Sequence, residues 1–147
     1  LDNITNVGKA ARMSSIDPQP QTAVWPTLRY RDAQAAIRFL VETFGFSEAV
    51  VYVSQDGTVV DHAELRWPLG GGVMLGSARD DSPINELPPG TGSVYAITDD
   101  PDGLYERARK AGAVIVRELR DEDYGSRGFT ARDPEGVYWS FGTYAGA

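Results

Sequence analysis

The spacing of apolar positions along the chain changes period several times. Residues 24–31 are rich in aromatic and β-branched side chains, as expected of an extended segment. After Asp32 the period lengthens. Ile37, Leu40, Val41 and Phe44 fall at i, i+3, i+4 and i+7, on one side of a helix. Asp32 is placed to cap that helix and Gly45 to end it, so a helix is expected over 33–44. Extended runs follow at 47–53, 58–66 and 72–77, with turns at Gln55-Asp56-Gly57 and at 67–71. The same order then repeats. A strand is expected over 92–98, followed by a helix capped by Asp99 or Asp100 with Pro101 in its first turn. Leu104, Ala108 and Ala111 form its expected buried stripe, and Gly112 ends it. Strands at 113–119, 125–132 and 137–143 complete the series, the last two joined by Asp133-Pro134-Glu135-Gly136.

The repeat is close to exact in length. Asp32 and Asp100 stand 68 residues apart, and Gly45 and Gly112 stand 67 apart. Each run therefore reads βαβββ, with a first module over 23–77, a linker over 78–91 rich in Pro and Gly, and a second module over 92–147. Neither module can cover both its helix and its sheet alone, so the two are expected to pair as one globular domain. The expected fold class is α+β: a cup-shaped, curled mixed sheet with the helices outside. Residues 1–22 lack sustained apolar periodicity and read as a flexible N-terminal arm. Met13-Ser14-Ser15 is a candidate natural start, which would make residues 1–12 an addition; a strand lent to a partner is the other reading of this arm.

Composition narrows the chemistry. The 147 residues include one His and no Cys, which removes disulfides, thiolate metal sites, thiol nucleophiles and any site needing two imidazoles. A formal charge of −7 argues against a nucleic-acid partner and favours a cationic one. No apolar run reaches the ~20 residues of a spanning helix, so no membrane partner is expected and the location is read as cytoplasmic. Gly70-Gly71-Gly72 lacks the strand-to-helix context of a phosphate cradle, and no Ser stands in a nucleophile elbow.

Several phrases in this order resemble the vicinal oxygen chelate superfamily, which holds glyoxalases, bleomycin-resistance proteins and dioxygenases. They are Leu28-Arg29-Tyr30-Arg31-Asp32 leading to Phe44-Gly45-Phe46; Gly72-Val73-Met74-Leu75-Gly76; Ala111-Gly112-Ala113; Tyr124-Gly125-Ser126-Arg127-Gly128-Phe129; and Arg132-Asp133-Pro134-Glu135-Gly136. The Tyr-Gly-x-Arg segment leans toward the bleomycin-resistance-like and PhnB-like branches. The resemblance implies a homodimer, and it implies four metal-ligand positions, which fall here on Trp25, Met74, Ser93 and Ser140. An indole, a thioether and two hydroxyls are not the donor set of a catalytic divalent metal, so no metal and no other cofactor is expected.

Strand parity supplies the rest of the candidate face. With Trp25 facing in, Thr27 and Arg29 follow; with Ser93 and Ser140 facing in, Tyr95 and Tyr138 follow. His62 and Glu64 share the polar side of their strand, opposite Ala63 and Leu65. The candidate ligand-binding residues are therefore Trp25, His62, Glu64, Met74, Ser93, Tyr95, Tyr138 and Ser140, with no catalytic residue assigned. What the resemblance and these residues imply is a protein of the bleomycin-resistance type that sequesters a small aromatic or cationic molecule, and hence a role in antibiotic resistance. The rival reading is a glyoxalase- or dioxygenase-like lyase or oxidoreductase, working through His62 and Glu64 or an atypical metal site. In a third, Trp25 and Met74 simply fill the cup.

Overall fold

The computed structural model describes residues 9–13, 22–81 and 87–147. Among the described residues, nine strands and two α-helices follow one another in chain order: β1 (Lys9–Met13), β2 (Thr27–Tyr30), α1 (Ala33–Phe39), β3 (Ser47–Ser54), β4 (Val60–Arg66), β5 (Gly72–Ser77), β6 (Ser93–Ile97), α2 (Pro101–Lys110), β7 (Val114–Asp121), β8 (Arg127–Arg132) and β9 (Tyr138–Gly142). Two mixed sheets result, in the orders β1-β3-β4-β5-β2 and β6-β9-β8-β7. In each, the strand before the helix lies parallel to the last strand of its module and the remaining pairs are antiparallel. This is the α+β, twofold βαβββ architecture with an open curled sheet that the repeat predicts.

The helix ends follow local chemistry. Asp32 Oδ1 accepts from the Ala35 N–H at 3.0 Å, and Asp100 Oδ1 accepts from the Gly103 N–H at 3.0 Å. Gly45 takes a left-handed φ of 93°, which a residue with a Cβ adopts at a cost. The first helix does not stay α-helical to Phe44: Leu40–Phe44 forms a wide π-helical turn. In α2 the buried stripe is Pro101, Tyr105 and Ala108, with Leu104 half-buried, whereas Ala111 is exposed. Tyr105 takes the place expected for Ala111 because its ring reaches Phe129, 5.2 Å away between centroids, and its hydroxyl reaches Glu118.

Residues 9–13 correct part of the expected arm. They form a strand antiparallel to β3, pairing Lys9 with Ser54 and Met13 with Val50. The start proposed at Met13 falls at the end of that strand, and the remainder of the arm lies outside the described residues. In β4 the strand begins with an irregularity. The register slips between Tyr52 and Val53, and Val60 is buried in the core.

The two modules join through the sides of their sheets that carry the helices. Phe44 lies 5.9 Å from Trp139 and 4.8 Å from Phe141, Phe46 lies 5.4 Å from Trp139, and Trp67 lies 5.5 Å from Phe141. Each such fully buried aromatic contributes roughly 1.5–3 kcal/mol over an exposed one. Polar contacts then fix the pairing. Trp67 Nε1 donates to the Ile97 carbonyl at 2.7 Å, and the Arg107 guanidinium donates to the Val41 and Glu42 carbonyls at 3.1 Å each. Trp67 is thus a buried seam residue.

Candidate functional site

Joining the modules on their helix side leaves the other face of each sheet uncovered. Alternation along the strands decides which side chains stand there. In β5, Val73 and Leu75 are buried while Met74 is half-exposed; in β9, Trp139 and Phe141 are buried while Tyr138 and Ser140 are not. The parity expected for β2, β6 and the His62–Arg66 part of β4 is the parity found.

On the first module, a cavity of about 70 Å³ is lined by Thr27, Leu28, Arg29, His62, Met74 and Leu75. His62 Nε2 stands 3.0 Å from Glu64 Oε1 along the same strand, and the Tyr52 ring lies 6.4 Å from the imidazole. Glu64 therefore serves His62, not Arg66 or Arg29. Arg66 instead covers the Trp25 ring, its guanidinium carbon 4.5 Å from the centroid. Trp25 Nε1 donates to the Thr22 carbonyl at 3.1 Å, and the ring edge lies against Gly72.

On the second module, a cavity of about 150 Å³ is lined by Tyr95, Arg117, Glu122, Tyr124, Ser126, Thr130, Ser140 and neighbouring backbone. Its floor holds a hydroxyl pair, Thr130 Oγ1 and Ser140 Oγ, 2.8 Å apart. Glu122 pairs with Arg117 and with Arg120, the latter at 2.8 Å. Tyr95 donates its hydroxyl to the Tyr144 carbonyl at 2.8 Å, and Tyr144 meets Tyr124 edge-on at 6.0 Å. Tyr95 is 49% exposed and Tyr138 41%, which leaves ring surface open.

The eight candidates thus divide. Met74 and His62 come together on one module, and Tyr95 and Ser140 on the other. Trp25, Glu64, Ser93 and Tyr138 line neither of these two cavities, although each stands on a face turned away from the core. Each cavity takes its walls from a single module. A third cleft of about 440 Å³ runs along the seam, between Pro26, Trp67 and Leu69 on one side and Val94 and Ile97 on the other. Thr130 and Arg117 were not among the candidates. Parity with Gly128 and Arg132 on β8 was the available signal for Thr130; the irregular register of β7 left none for Arg117.

The residues at the four family metal positions do not fit a metal. Trp25 is held in its Arg66 stack, Met74 and Ser140 line different cavities, and Ser93 is exposed. Among the described residues there is no group of three or more His, Cys, Asp or Glu that could hold an ion. No described helix is long and apolar enough to cross a membrane.

Comparison with known proteins adds to this geometry. Residues 22–141 match the family model described as "Glyoxalase/Bleomycin resistance protein/Dioxygenase superfamily". An uncharacterized protein of Mycobacterium bovis is 34% identical over 131 residues, which cover 83% of each chain. TioX from Micromonospora sp. ML1 is similar in structure, with a TM-score of 0.66 and 30% identity over 83% of this chain and 98% of that one. A glyoxalase I mutant from Zea mays shares the fold, with a TM-score of 0.65 and 21% identity over 94% of this chain and 46% of that one.

Proposed function

Because the chain belongs to the glyoxalase/bleomycin resistance protein/dioxygenase superfamily, we propose that it is a binding protein that works without a metal, sequestering a small aromatic molecule between the open sheet faces of a homodimer. One observation carries this reading. Each module's cavity has a floor and side walls, and the walls belong to that module alone. A second copy, laying the first module's face against the second module's face, would enclose a ligand that one chain leaves half-covered. Tyr95 and Tyr138 would stack on the ligand, and Thr130 and Ser140 would supply hydroxyl contacts. Binding of this kind is stoichiometric and needs no bond to be made or broken. It is the chemistry by which a resistance protein would sequester an antibiotic.

The open faces bear on the charge of that ligand. The chain is acidic overall, but on its uncovered faces Glu64 is engaged by His62, Glu122 is paired with Arg117, and Arg29 adds a cation. The aromatic half of the expected ligand chemistry is therefore better supported than the cationic half.

Sedimentation combined with fluorescence titration tests the proposal. The expected result is a dimer that binds planar aromatic compounds saturably, weakened by Tyr95→Ala. A monomer, or a dimer whose emission no aromatic compound changes, would overturn it.

A second reading rests on the His62–Glu64 contact. A carboxylate 3.0 Å from an imidazole orients it as a general acid or base, which a lyase or oxidoreductase working without a metal would need. Turnover that survives metal removal and vanishes in His62→Gln would support it.

A further inference from the structure

We infer that the Arg29 guanidinium is a receptor for a carboxylate on the ligand of the first module's open face. The inference rests on the ligand-binding reading above and adds to it the charge of the bound molecule. Arg29 stands on β2 with its side chain turned to the open face, half-buried, and it lines the cavity shared with Thr27, His62 and Met74. Its Nη1 lies over Gly76, the residue opposite it on β5: a Cβ built on Gly76 would come within 2.5 Å of Nη1.

Gly76 is not among the residues with positive φ, so its backbone conformation does not call for glycine. A glycine inside a strand is unfavourable relative to alanine. Here the missing Cβ leaves space, and the guanidinium occupies it.

Two other cations of this module have partners: Arg66 covers Trp25, and Arg79 pairs with Asp81 at 3.2 Å. For the Arg29 guanidinium, the described residues provide no hydrogen bond and no ion pair. Glu64, on the open face of β4, is engaged by His62. A half-buried cation with no acceptor among the described residues carries a desolvation cost that a ligand oxyanion would remove. The cavity of about 70 Å³ has the size of a head group, not of a whole drug-sized molecule. A planar guanidinium fork matches a carboxylate through two parallel hydrogen bonds.

His62 lines the same cavity and is the only histidine in the chain, so its ring resonances report the site without overlap. The full chain, carrying no histidine tag, is titrated at fixed pH with benzoate, benzamide, benzylamine and inorganic phosphate. Benzoate is expected to shift the His62 resonances saturably, more tightly than phosphate, and benzamide and benzylamine are expected to leave them in place. Arg29→Gln is expected to weaken benzoate by about tenfold or more. Gly76→Ala, which puts a methyl where Nη1 lies, is expected to weaken it as well, and this second variant decides the matter should Arg29→Gln not fold. Benzoate binding that is absent, matched by benzamide or phosphate, or unchanged in both variants would overturn the inference. Should benzylamine or benzamide shift His62 while benzoate does not, the binding reading survives and the carboxylate assignment falls.

Discussion

The Tyr30 hydroxyl donates to Asp133 Oδ2 at 2.6 Å, across 103 residues of sequence and between the two modules. Asp133 is 3% exposed and spends its other acceptor capacity locally. Trp139 Nε1 donates to Oδ2 at 3.0 Å, and the backbone N–H groups of Glu135, Gly136 and Val137 donate to Oδ1 at 3.0–3.1 Å. The aspartate of the Asp-Pro-Glu-Gly turn is therefore a structural anchor. It shapes the turn and ties it to the first strand of the other module.

Asp133→Ala is expected to cost more than ~3 kcal/mol, since it strands several buried donors at once. Urea unfolding measures this. A loss under ~1 kcal/mol would show that the donors find other acceptors.

Burial and the neighbouring Asp133 carboxylate push the Tyr30 hydroxyl well above its ordinary value of 10.0. The folded state thus holds that proton more tightly than the unfolded chain does. The stabilisation is complete below pH ~10 and is lost as pH rises further, at up to about 1.36 kcal/mol per pH unit. Melting temperatures followed between pH 9 and 11, values that bracket the tyrosine range of about 10, should fall more steeply in the native protein than in Tyr30→Phe. Parallel slopes would refute this.

Trp67→Phe keeps the apolar contacts with Phe46 and Phe141 but removes the hydrogen bond to the Ile97 carbonyl. The expected cost is ~1–3 kcal/mol for the carbonyl left unmatched. Trp67→Ala should cost ~3–5 kcal/mol by adding a cavity at the seam. Chemical denaturation of both variants checks the order.

Hydrogen bonds from Arg127 hold the Asp102 carboxyl below its ordinary value, and Arg127 also pairs with Asp121. A depressed value means stability that is present above the unfolded carboxylate range and lost as pH falls through the folded one. Arg127→Gln should therefore reduce the difference in melting temperature between neutral and acidic buffer. The change is small, because both carboxylates are exposed. An acid sensitivity equal to that of the native protein would refute the link.

Much of the fold was legible because it is written in local signals. Asp32, Gly45, Asp100 and Gly112 mark helix ends by capping chemistry, and the near-constant offsets between them reveal the duplication. Strand parity sorted Val73 from Met74 and Trp139 from Ser140. Features decided by tertiary packing were not legible. The wide turn at Leu40–Phe44 has its Val41 and Glu42 carbonyls held by Arg107, the inward Val60 donates its N–H to Ser77, and Tyr105 is buried in place of Ala111 against Phe129. The site was legible face by face only. Parity tells which side of a strand a residue occupies, whereas the distance between two such sides depends on how the modules dock.

The Glu135 carboxylate receives the Arg31 N–H at 2.6 Å and the Asp32 N–H at 2.9 Å. The flank of the first helix is thus finished by a turn that follows it by 103–104 residues. A ribosome must add all of that intervening chain before α1 acquires these two partners. Until then the emerging first half has its internal cap but lacks this outer clasp, and it must be kept from aggregation by other means.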